Sequence, residues 1–202
     1  MSTAERKPSS SKVRKKILEV STRLFADSGF EGVTMRQIAS ASEITMPAIY
    51  HHFGNKEELF KEVEREIYTV HADKLLSQLK AAGTPEERLR NFIYTLFEAL
   101  DSNQDYAKLL LRNLVEGWED NQRFLVQLSL QQVIDVLKSR LVDYNEKLQD
   151  PKAPIVIFSF IVGFLSFKPL VPHIEGFEDL TVSSKERCTQ VVNTVMQYLD
   201  AY

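Results

Sequence analysis

Hydrophobic residues recur along this chain at intervals of three and four positions, which is the spacing of the buried face of an α-helix. The spacing is regular from Leu59 to Leu79 and again from Leu89 to Leu100. No stretch alternates apolar and polar residues over the length of a strand, and no Asn-Gly hairpin turn occurs. The pattern therefore predicts an all-α fold.

Polar residues that cap helices divide this pattern into segments. Thr84 and Ser183 each stand three residues before a glutamate, which is the capping-box arrangement at the start of a helix. Asn55 precedes a long helix without glycine or proline, so we expect this helix to join an N-terminal unit to the rest without a flexible linker. The predicted helices begin near Ser10 and after Thr34, Thr45, Asn55 and Thr84, then cover about 106–115, 121–148 and 153–167, and the last follows Ser183.

Two helices near the end of the chain carry more apolar surface than a chain of 202 residues is expected to cover by itself. The segment 155–167 (IVIFSFIVGFLSF) is apolar nearly all round, and the last helix has an apolar stripe. Such surfaces indicate contact with another molecule. We predict a twofold homodimer that buries both helices; the alternative is that both pack inside a monomer. The predicted interface residues are Phe158, Ile161, Val162, Leu165, Val191, Val195 and Leu199.

Residues 34–56 (TMRQIASASEITMPAIYHHFGNK) contain two short helical segments separated by a tight turn, the arrangement of a helix-turn-helix. Four apolar residues are spaced to pack the two segments together: Ile38, Ala39, Ile44 and Ile49. The outward face of the second helix is then short, uncharged and slightly apolar, which suits a DNA major groove. That face carries Met46, Pro47, Ala48, Tyr50 and His51, and donors suited to phosphate oxygens surround it at Thr34, Thr45, Tyr50 and Lys56. The alternative is a helical hairpin that only packs.

The segment from Ile17 to Phe60 (ILEVSTRLFADSGFEGVTMRQIASASEITMPAIYHHFGNKEELF) resembles the DNA-binding domain of the tetracycline-repressor (TetR) family. The shared features are Leu-Phe, Gly-aromatic, a threonine before the second helix, Ile-Ala, Tyr-x-x-Phe and Lys-Glu-x-Leu. The rest of the chain resembles the family in being all-helical and in ending with two apolar helices. The resemblance implies base contacts from Arg36, Met46 and Pro47, with Ala48 close to the groove floor. It implies phosphate contacts from Thr34, Thr45, Tyr50, His51 and Lys56.

One position departs from the family pattern. Glu43 stands in the turn where the family usually has glycine. A left-handed conformation at this residue would cost about 1–2 kcal/mol. The glutamate also places an acid near the face that we expect to meet DNA.

Charge is distributed unevenly along the chain, although its total is only −3. Residues 1–56 hold nine Lys or Arg and five Asp or Glu, which makes this part +4, whereas 57–202 hold 16 basic and 23 acidic residues and are −7. A basic N-terminal part indicates contact with an anion; the alternative is a merely basic tail. The predicted organisation is a flexible basic tail (1–11), a helix-turn-helix DNA-binding domain (12–56) and a helical effector-binding and dimerisation domain (57–202).

Signals for catalysis, metal binding and membrane insertion are absent from the sequence. It has no Gly-rich phosphate loop, nucleophile elbow or spaced metal ligands, and the adjacent His51 and His52 point about 100° apart on a helix. The single cysteine, Cys188, excludes an internal disulfide and fits a reducing cytoplasm. No secretion signal is recognisable, and the longest apolar run is shorter than the roughly 20 residues that span a bilayer. We expect a cytoplasmic protein that is not an enzyme, with no cofactor, metal or membrane partner.

The C-terminal part is rich in aromatic residues at helical spacing. Most of them are expected to be core, but the resemblance implies an effector cavity among these helices, which such side chains would make apolar. His71 is interpreted either as a solvated or hydrogen-bonded histidine or as a pocket group that titrates near neutral pH. The candidate pocket residues are His71, Tyr94, Phe97, Tyr106, Trp118, Phe124, Phe160 and Phe164.

These observations favour a homodimeric, sequence-specific DNA-binding transcriptional regulator. We expect it to bind double-stranded DNA at a palindromic operator and to be a repressor that a small, largely apolar effector releases. Activation in place of repression is one alternative. Another is an all-helical ligand-binding or scaffold protein whose helix-turn-helix contacts protein instead of DNA.

Overall fold

All regular secondary structure in the described residues is helical, as the apolar spacing predicts. The computed structural model describes residues 10–116, 118–175 and 182–202. Residues 1–9 of the predicted basic tail lie outside the described residues, and the first helix already begins at Ser10. The helices are α1 (Ser10–Ser28), α2 (Met35–Ser42), α3 (Met46–Phe53), α4 (Lys56–Lys80), α5 (Pro85–Ser102), α6 (Gln104–Glu116), α7 (Glu119–Leu125), α8 (Gln131–Tyr144), α9 (Ala153–Phe167) and α10 (Ser184–Asp200).

The predicted capping residues begin these helices. Thr34, Thr84 and Ser183 each form a complete capping box, in which the hydroxyl accepts from the third helical N–H and the third side chain accepts from the cap N–H. Asn55 accepts from the N–H of Glu58 at 2.7 Å and begins α4, which runs 25 residues without interruption. The expected rigid connection between the N-terminal unit and the rest is therefore present.

The helix predicted from 121 to 148 is divided. A π-helical turn, Val126–Leu130, separates α7 from α8, and Ser129 inside it donates a hydrogen bond to the carbonyl of Leu125. A π turn shifts the helical register by one residue, and hydrophobic spacing alone does not reveal such a shift. The helix also ends earlier than predicted, at Tyr144, since Asn145 is extended and its carboxamide oxygen accepts from the N–H of Lys147.

The N-terminal unit, which we call the head, has its own hydrophobic core. It is built by α1, α2, α3 and the first turns of α4, around residues that are fully buried. One member, Leu109, comes from α6 of the C-terminal body. The largest of the buried head residues are Ile17, Phe25, Ile38, Ile49 and Leu59.

The body is arranged around α5. Its buried face, with Phe92, Leu96 and Phe97 at most 1 % exposed, lies among α4, α8, α9 and α10. The inner side of α9 contributes Ile157 and Ile161, which are also buried. The body therefore has one continuous core that includes the last two helices.

Head and body meet where the end of α1 packs on α6. Arg112 donates to the carbonyl oxygens of Ala26 at 3.2 Å and Asp27 at 2.9 Å, which lie in the last turn of α1. Lys108 forms an ion pair with the Asp27 carboxylate at 2.6 Å. The last carbonyl groups of a helix have no partner within the helix, so these side chains satisfy atoms that the packing would otherwise leave unpaired.

The turn between α2 and α3 contains the residue that departs from the family pattern. Glu43 adopts the left-handed conformation (φ 56°, ψ 35°) that favours glycine. Its carboxylate pairs with Lys16 of α1 at 2.8 Å, and this hydrogen bond and positive charge lower the carboxyl pKa. The turn geometry of the motif is thus kept, at the cost of backbone strain.

Replacement of this glutamate by glycine tests the strain. We expect Glu43→Gly to raise the midpoint of thermal unfolding by a few degrees, because glycine reaches positive φ without a Cβ clash while the ion pair that it removes is exposed to solvent. Calorimetry at one protein concentration measures it. Glu43→Gln keeps the strain but removes the charge, so it serves as control; a glycine variant no more stable than this control would contradict the strain.

Candidate nucleic-acid interface

Helices α2 and α3 are joined by a small buried seam. Ile38 and Ile49 are fully buried, Ala39 is 8 % exposed, and Phe53 closes the end of the seam. The hydroxyl of Ser42 is buried there and donates to the carbonyl of Ile38 at 2.6 Å. Because each helix has only eight residues, this packing and the support of α1 and α4 hold α3 in position.

The opposite face of α3 points away from the head. Thr45, Pro47, Tyr50 and His51 are exposed, with Tyr50 at 45 %. Met46 and Ala48 are half-buried, and Met46 also packs against the head core. Thr45 occupies the N-cap position, yet its hydroxyl makes no capping hydrogen bond within the described chain. The face therefore combines apolar groups with hydroxyl and imidazole groups, as base edges and thymine methyls require.

The predicted phosphate-binding groups differ in how they are held. The Thr34 hydroxyl donates to the Gln37 carboxamide at 2.8 Å, so its hydrogen is already engaged within the capping box. The Lys56 ammonium lies 4.1 Å from the centre of the Phe30 ring, where the aromatic face attracts a cation. Arg36 is exposed on α2. Lys56 is thus positioned beside α3 by an aromatic contact that leaves its donors available.

Positive charge in the head is partly neutralised. Arg14, Lys15 and Lys16 form ion pairs with Glu62, Glu19 and Glu43. In the part of the chain that the structure describes, no ion pair involves four other head cations, which are Lys12, Arg23, Arg36 and Lys56. These four are the charges that can neutralise phosphates without first breaking a pair.

The two histidines of α3 occupy adjacent helical positions. The rings of His51 and His52 lie 5.7 Å apart at 61°, as adjacent helical positions require. Within residues 10–116, 118–175 and 182–202, no group of three or more His, Cys, Asp and Glu residues could hold a metal ion. Cys188 is buried, and burial raises the pKa of its thiol to about 11, which agrees with an unreactive core thiol.

A cavity of about 120 Å³ lies in the body between α4, α5, α6, the π turn, α8 and α9. Its walls are mainly apolar, and it is the candidate for the predicted effector site. The lining residues that matter below are Ala72 on α4, Tyr106 and Leu114 on α6, Ser129 in the π turn, and Ile155 and Phe158 on α9.

His71 stands behind this cavity rather than in its wall. Its ring stacks on Tyr106 with centroids 3.8 Å apart, and Tyr106 lines the cavity. Burial, with the nearby charge of Lys74, lowers the pKa of His71 to about 4. The interpretation of His71 as a group that titrates near neutral pH is therefore wrong. The His71 side chain is a buried ring that is neutral at this pH.

The other predicted pocket residues do not converge on the cavity. Phe97 is buried in the core, whereas Tyr94, three residues earlier at the edge of the buried face of α5, is 48 % exposed. Trp118 packs edge-on against Phe30 of the head, and Phe124 lies under the guanidinium of Arg65. Phe160 and Phe164 stack on each other on the outer side of α9. Of the eight predicted pocket residues, only Tyr106 lines the cavity.

The predicted dimer residues are also corrected in part. Ile161, Val191, Val195 and Leu199 are at most 3 % exposed within the single chain. They have no surface left to bury against a second copy. Phe158, Val162 and Leu165 are half-buried against the same core. The side of α9 that remains exposed carries Val156, Phe160 and Phe167, with Phe167 62 % exposed.

One functional candidate was missed by the sequence analysis. Glu64 on α4 is 1 % exposed, and its carboxylate accepts a hydrogen bond from the Asn113 carboxamide at 2.9 Å. The sequence does contain a signal for it, since Glu64 stands four residues after Phe60 and three before Ile67, on the apolar face of its helix. A carboxylate on an apolar helix face is unusual, and a buried one is a candidate functional group.

The geometry defines a class of protein: a helix-turn-helix head, with its second helix turned outward, on a helical body that contains a cavity. Residues 17–63 match the family described as bacterial regulatory proteins, tetR family. This match confirms the resemblance of the segment from Ile17 to Phe60 to the DNA-binding domain of the TetR family.

Two transcriptional repressors are similar to about half of this chain or less. The transcriptional repressor KstR2 of Mycolicibacterium smegmatis is 32 % identical over 104 residues, which cover 48 % of this chain and 51 % of KstR2. The transcriptional repressor AcnR of Corynebacterium glutamicum is 47 % identical over 60 residues, 30 % of this chain and 31 % of AcnR. The matched segments thus span about half the length of these relatives or less.

Solved structures match over nearly the whole chain. AibR in complex with isovaleryl coenzyme A and operator DNA has a TM-score of 0.73 at 21 % identity, covering 90 % of this chain and 97 % of that one. FadR of Bacillus subtilis in complex with stearoyl-CoA has a TM-score of 0.72 at 16 % identity, covering 90 % and 96 %. These similarities show the fold of both the head and the body. None of the helices in the described ranges is long and apolar enough to cross a membrane.

Proposed function

We propose that this protein is a sequence-specific DNA-binding transcriptional regulator, a homodimeric repressor that a small, largely apolar effector releases from a palindromic operator. The observation that carries the proposal is the outward face of α3, where Thr45, Pro47, Tyr50 and His51 are exposed on a rigidly supported helix. Named relatives are transcriptional repressors, which supports it. We also propose that the protein is cytoplasmic and is not an enzyme. The proposed boundary between head and body lies near residue 56.

A second copy of the chain is the proposed cover of the outer side of α9. An open groove of about 1060 Å³ lies between α9 and the start of α10, with Phe160, Phe164 and Phe167 on its wall. Three phenylalanine side chains on one open groove are a candidate surface for contact with another molecule. Gly163 lies at its centre, and a Cβ added there would meet nothing within 4 Å in the single chain, so another helix can approach closely. Two copies related by a twofold axis would hold their α3 helices about 34–36 Å apart, as successive major grooves require.

The body cavity is the proposed effector site. A volume of 120 Å³ is close to that of the roughly 150 Å³ cavities that bind benzene, so it suits a short branched chain or one ring. Leu114 and Ile155 are both lining residues and about half exposed, which places an opening there. Two proteins of this fold were solved with acyl-coenzyme A. We therefore propose an acyl group inside this cavity with its polar carrier in solvent.

The effector would act on DNA binding through α4 and α6. Both helices line the cavity and also pack on the head, through Leu59 and Val63 of α4 and Leu109 of α6. Expansion of the cavity would move these contacts and change the separation of the two α3 helices. By linkage, the effector can weaken DNA binding only by its own preference for the altered conformation.

Substitutions in the head test DNA recognition. We expect Lys56→Ala to weaken binding to all sequences and to lower the slope of log K against log salt by about 1, because one phosphate is no longer neutralised. Tyr50→Phe should also weaken binding uniformly, whereas Arg36→Ala or Met46→Ala should change the preferred operator. Fluorescence-anisotropy titrations of operator and scrambled DNA at several salt concentrations measure both effects.

Lys138→Ala, an exposed lysine on α8 of the body, is the matched control. It should leave affinity and salt slope unchanged. The operator is found by gel shift with the promoter regions of its own and neighbouring genes. If the protein shifts no promoter fragment, or if Lys56→Ala and Lys138→Ala change DNA affinity equally, the scaffold or ligand-binding alternative is favoured.

A substitution on α9 tests the dimer. Phe167→Asp places a charge in the proposed interface on a side chain that the single chain leaves 62 % exposed. We expect the fold to be retained and the dimer to dissociate, with loss of operator binding, because a buried unpaired charge is strongly unfavourable. Sedimentation equilibrium measures the mass. Val142→Asp on the outside of α8 is the control. If Phe167→Asp remains a dimer, the interface does not lie on this side of α9.

A cavity-filling substitution tests the effector site. Ala72→Leu adds three carbons at the cavity wall, so operator affinity should be kept while release by the effector is abolished. Butyryl- and isovaleryl-coenzyme A are the probes, and operator release is followed by anisotropy. Val70→Leu, which is exposed on the same helix, should respond like the unaltered protein. If neither probe releases the unaltered protein from the operator, an acyl effector is contradicted. If a probe releases the Ala72→Leu variant from the operator, the assignment of the effector to this cavity is contradicted.

A further inference from the structure

A second cavity, of about 180 Å³, lies at the contact between head and body. It is separate from the body cavity and shares no lining residue with it. The end of α1, the following loop, α4, α6 and α7 form its walls. The lining residues on which the argument rests are Phe30, Phe60, Glu64, Arg112, Asn113 and Trp118.

The polar wall contains a carboxylate that is almost completely buried. Glu64 is 1 % exposed and Asn113 is 5 % exposed. One Glu64 oxygen, Oε1, accepts from Asn113 Nδ2, but within the described chain neither Glu64 Oε2 nor Asn113 Oδ1 has a hydrogen-bond partner. Buried acceptors are rarely left unpaired in folded proteins, since each one costs free energy. Two adjacent acceptors therefore lie in this wall, and the Tyr68 hydroxyl, also without a partner within the described chain, lies beside Asn113.

The other wall is aromatic. The ring centre of Phe30 lies 5.2 Å from that of Phe60 and 5.4 Å from that of Trp118, which meets it edge-on. Aromatic faces attract cations, and Phe30 already holds the Lys56 ammonium at 4.1 Å. Aromatic rings beside a buried carboxylate form a site suited to an organic cation.

Charges around the cavity favour the same sign of ligand. Three lining residues are acids, namely Glu31, Glu64 and Glu116. Among the described lining residues the one cation is Arg112, which is held by the Glu116 carboxylate at 3.1 Å and by the carbonyl oxygens of Ala26 and Asp27. Its donors are therefore directed to the end of α1. Within the described chain, Glu31 and Glu64 form no ion pair, so their carboxylates favour a cation over an anion.

We propose that this cavity binds a small primary alkylammonium ion, whose N–H groups donate to Glu64 Oε2 and Asn113 Oδ1 and whose alkyl chain packs on Phe30, Phe60 and Trp118. Such a ligand joins α4 to α6 at the point where both contact the head. It thereby favours the arrangement in which α6 is packed on α1. The proposal does not depend on DNA binding, because it concerns the protein alone.

The intrinsic fluorescence of Trp118, the only tryptophan in the chain, reports occupancy directly. The probes are n-butylammonium chloride, 1-butanol and sodium butyrate at pH 8 and constant ionic strength. We expect a saturable change of emission with butylammonium only. No saturable change, or an equal response to butanol, would overturn the proposal, and this comparison needs only the unaltered protein.

Variants then test the carboxylate. Glu64→Gln keeps the size of the side chain and removes its charge, so we expect butylammonium to bind about tenfold more weakly, as loss of one charge-assisted hydrogen bond implies. Glu66→Gln, exposed on the same helix, is the control with the same loss of charge and should bind like the unaltered protein. Equal affinities of the two variants would overturn the role of Glu64.

The pH dependence gives an independent readout. Burial raises the pKa of Glu64 to about 7, although the hydrogen bond from Asn113 opposes this. The carboxylate is thus protonated below pH 7, and affinity should fall between pH 8 and pH 6 while the alkylammonium stays charged. The groups that face Glu64 are Tyr68 on its own helix, Arg112, Asn113 and Glu116 on α6, and Glu31 in the loop after α1. Affinity that is independent of pH, or a fall of equal size in Glu64→Gln, would contradict the assignment.

Discussion

The contact between the end of α1 and α6 is the constraint on which the relation of head to body depends. Leu109 is buried in the head core although it belongs to the body, and Arg112 satisfies the last carbonyl groups of α1. Burial of a leucine contributes about 2 kcal/mol, and each unpaired carbonyl would cost a comparable amount. With α4 running through both units, the head has two attachments and cannot rotate about a single hinge. A ligand that moves α6 relative to α4 therefore moves α3.

Strained or unsatisfied groups occur in the head, at this junction and in the body. Glu43 is held in a left-handed turn, Glu64 is buried with one unpaired oxygen, and the π turn lies in the wall of the body cavity. Such features reduce stability, and folded proteins retain them mainly at functional sites.

The helices and most of the head could be predicted from the sequence. Capping residues such as Thr34, Asn55 and Ser183 act within one turn, so their effect is local and can be identified without knowledge of the fold. The outward face of α3 followed from the spacing of Ile44 and Ile49. The body sites could not be predicted in the same way, because residue type does not tell which of several apolar faces a helix turns inward. Phe97 and Phe160 have the same side chain, yet one is core and the other lies in an open groove.

By itself, the sequence determined the all-α class, the helix starts, the helix-turn-helix and the resemblance of its segment to the TetR family, since each depends on residues near one another in the chain. Only the tertiary structure decided that Ile161 and Val191 belong to the core, that His71 is a neutral ring stacked on Tyr106, and that Glu64 meets Asn113. Glu64 and Asn113 are 49 residues apart in the chain. Contacts of this kind depend on how α4 and α6 pack, and hydrophobic spacing specifies that each helix has a buried face but not which side chains meet across it.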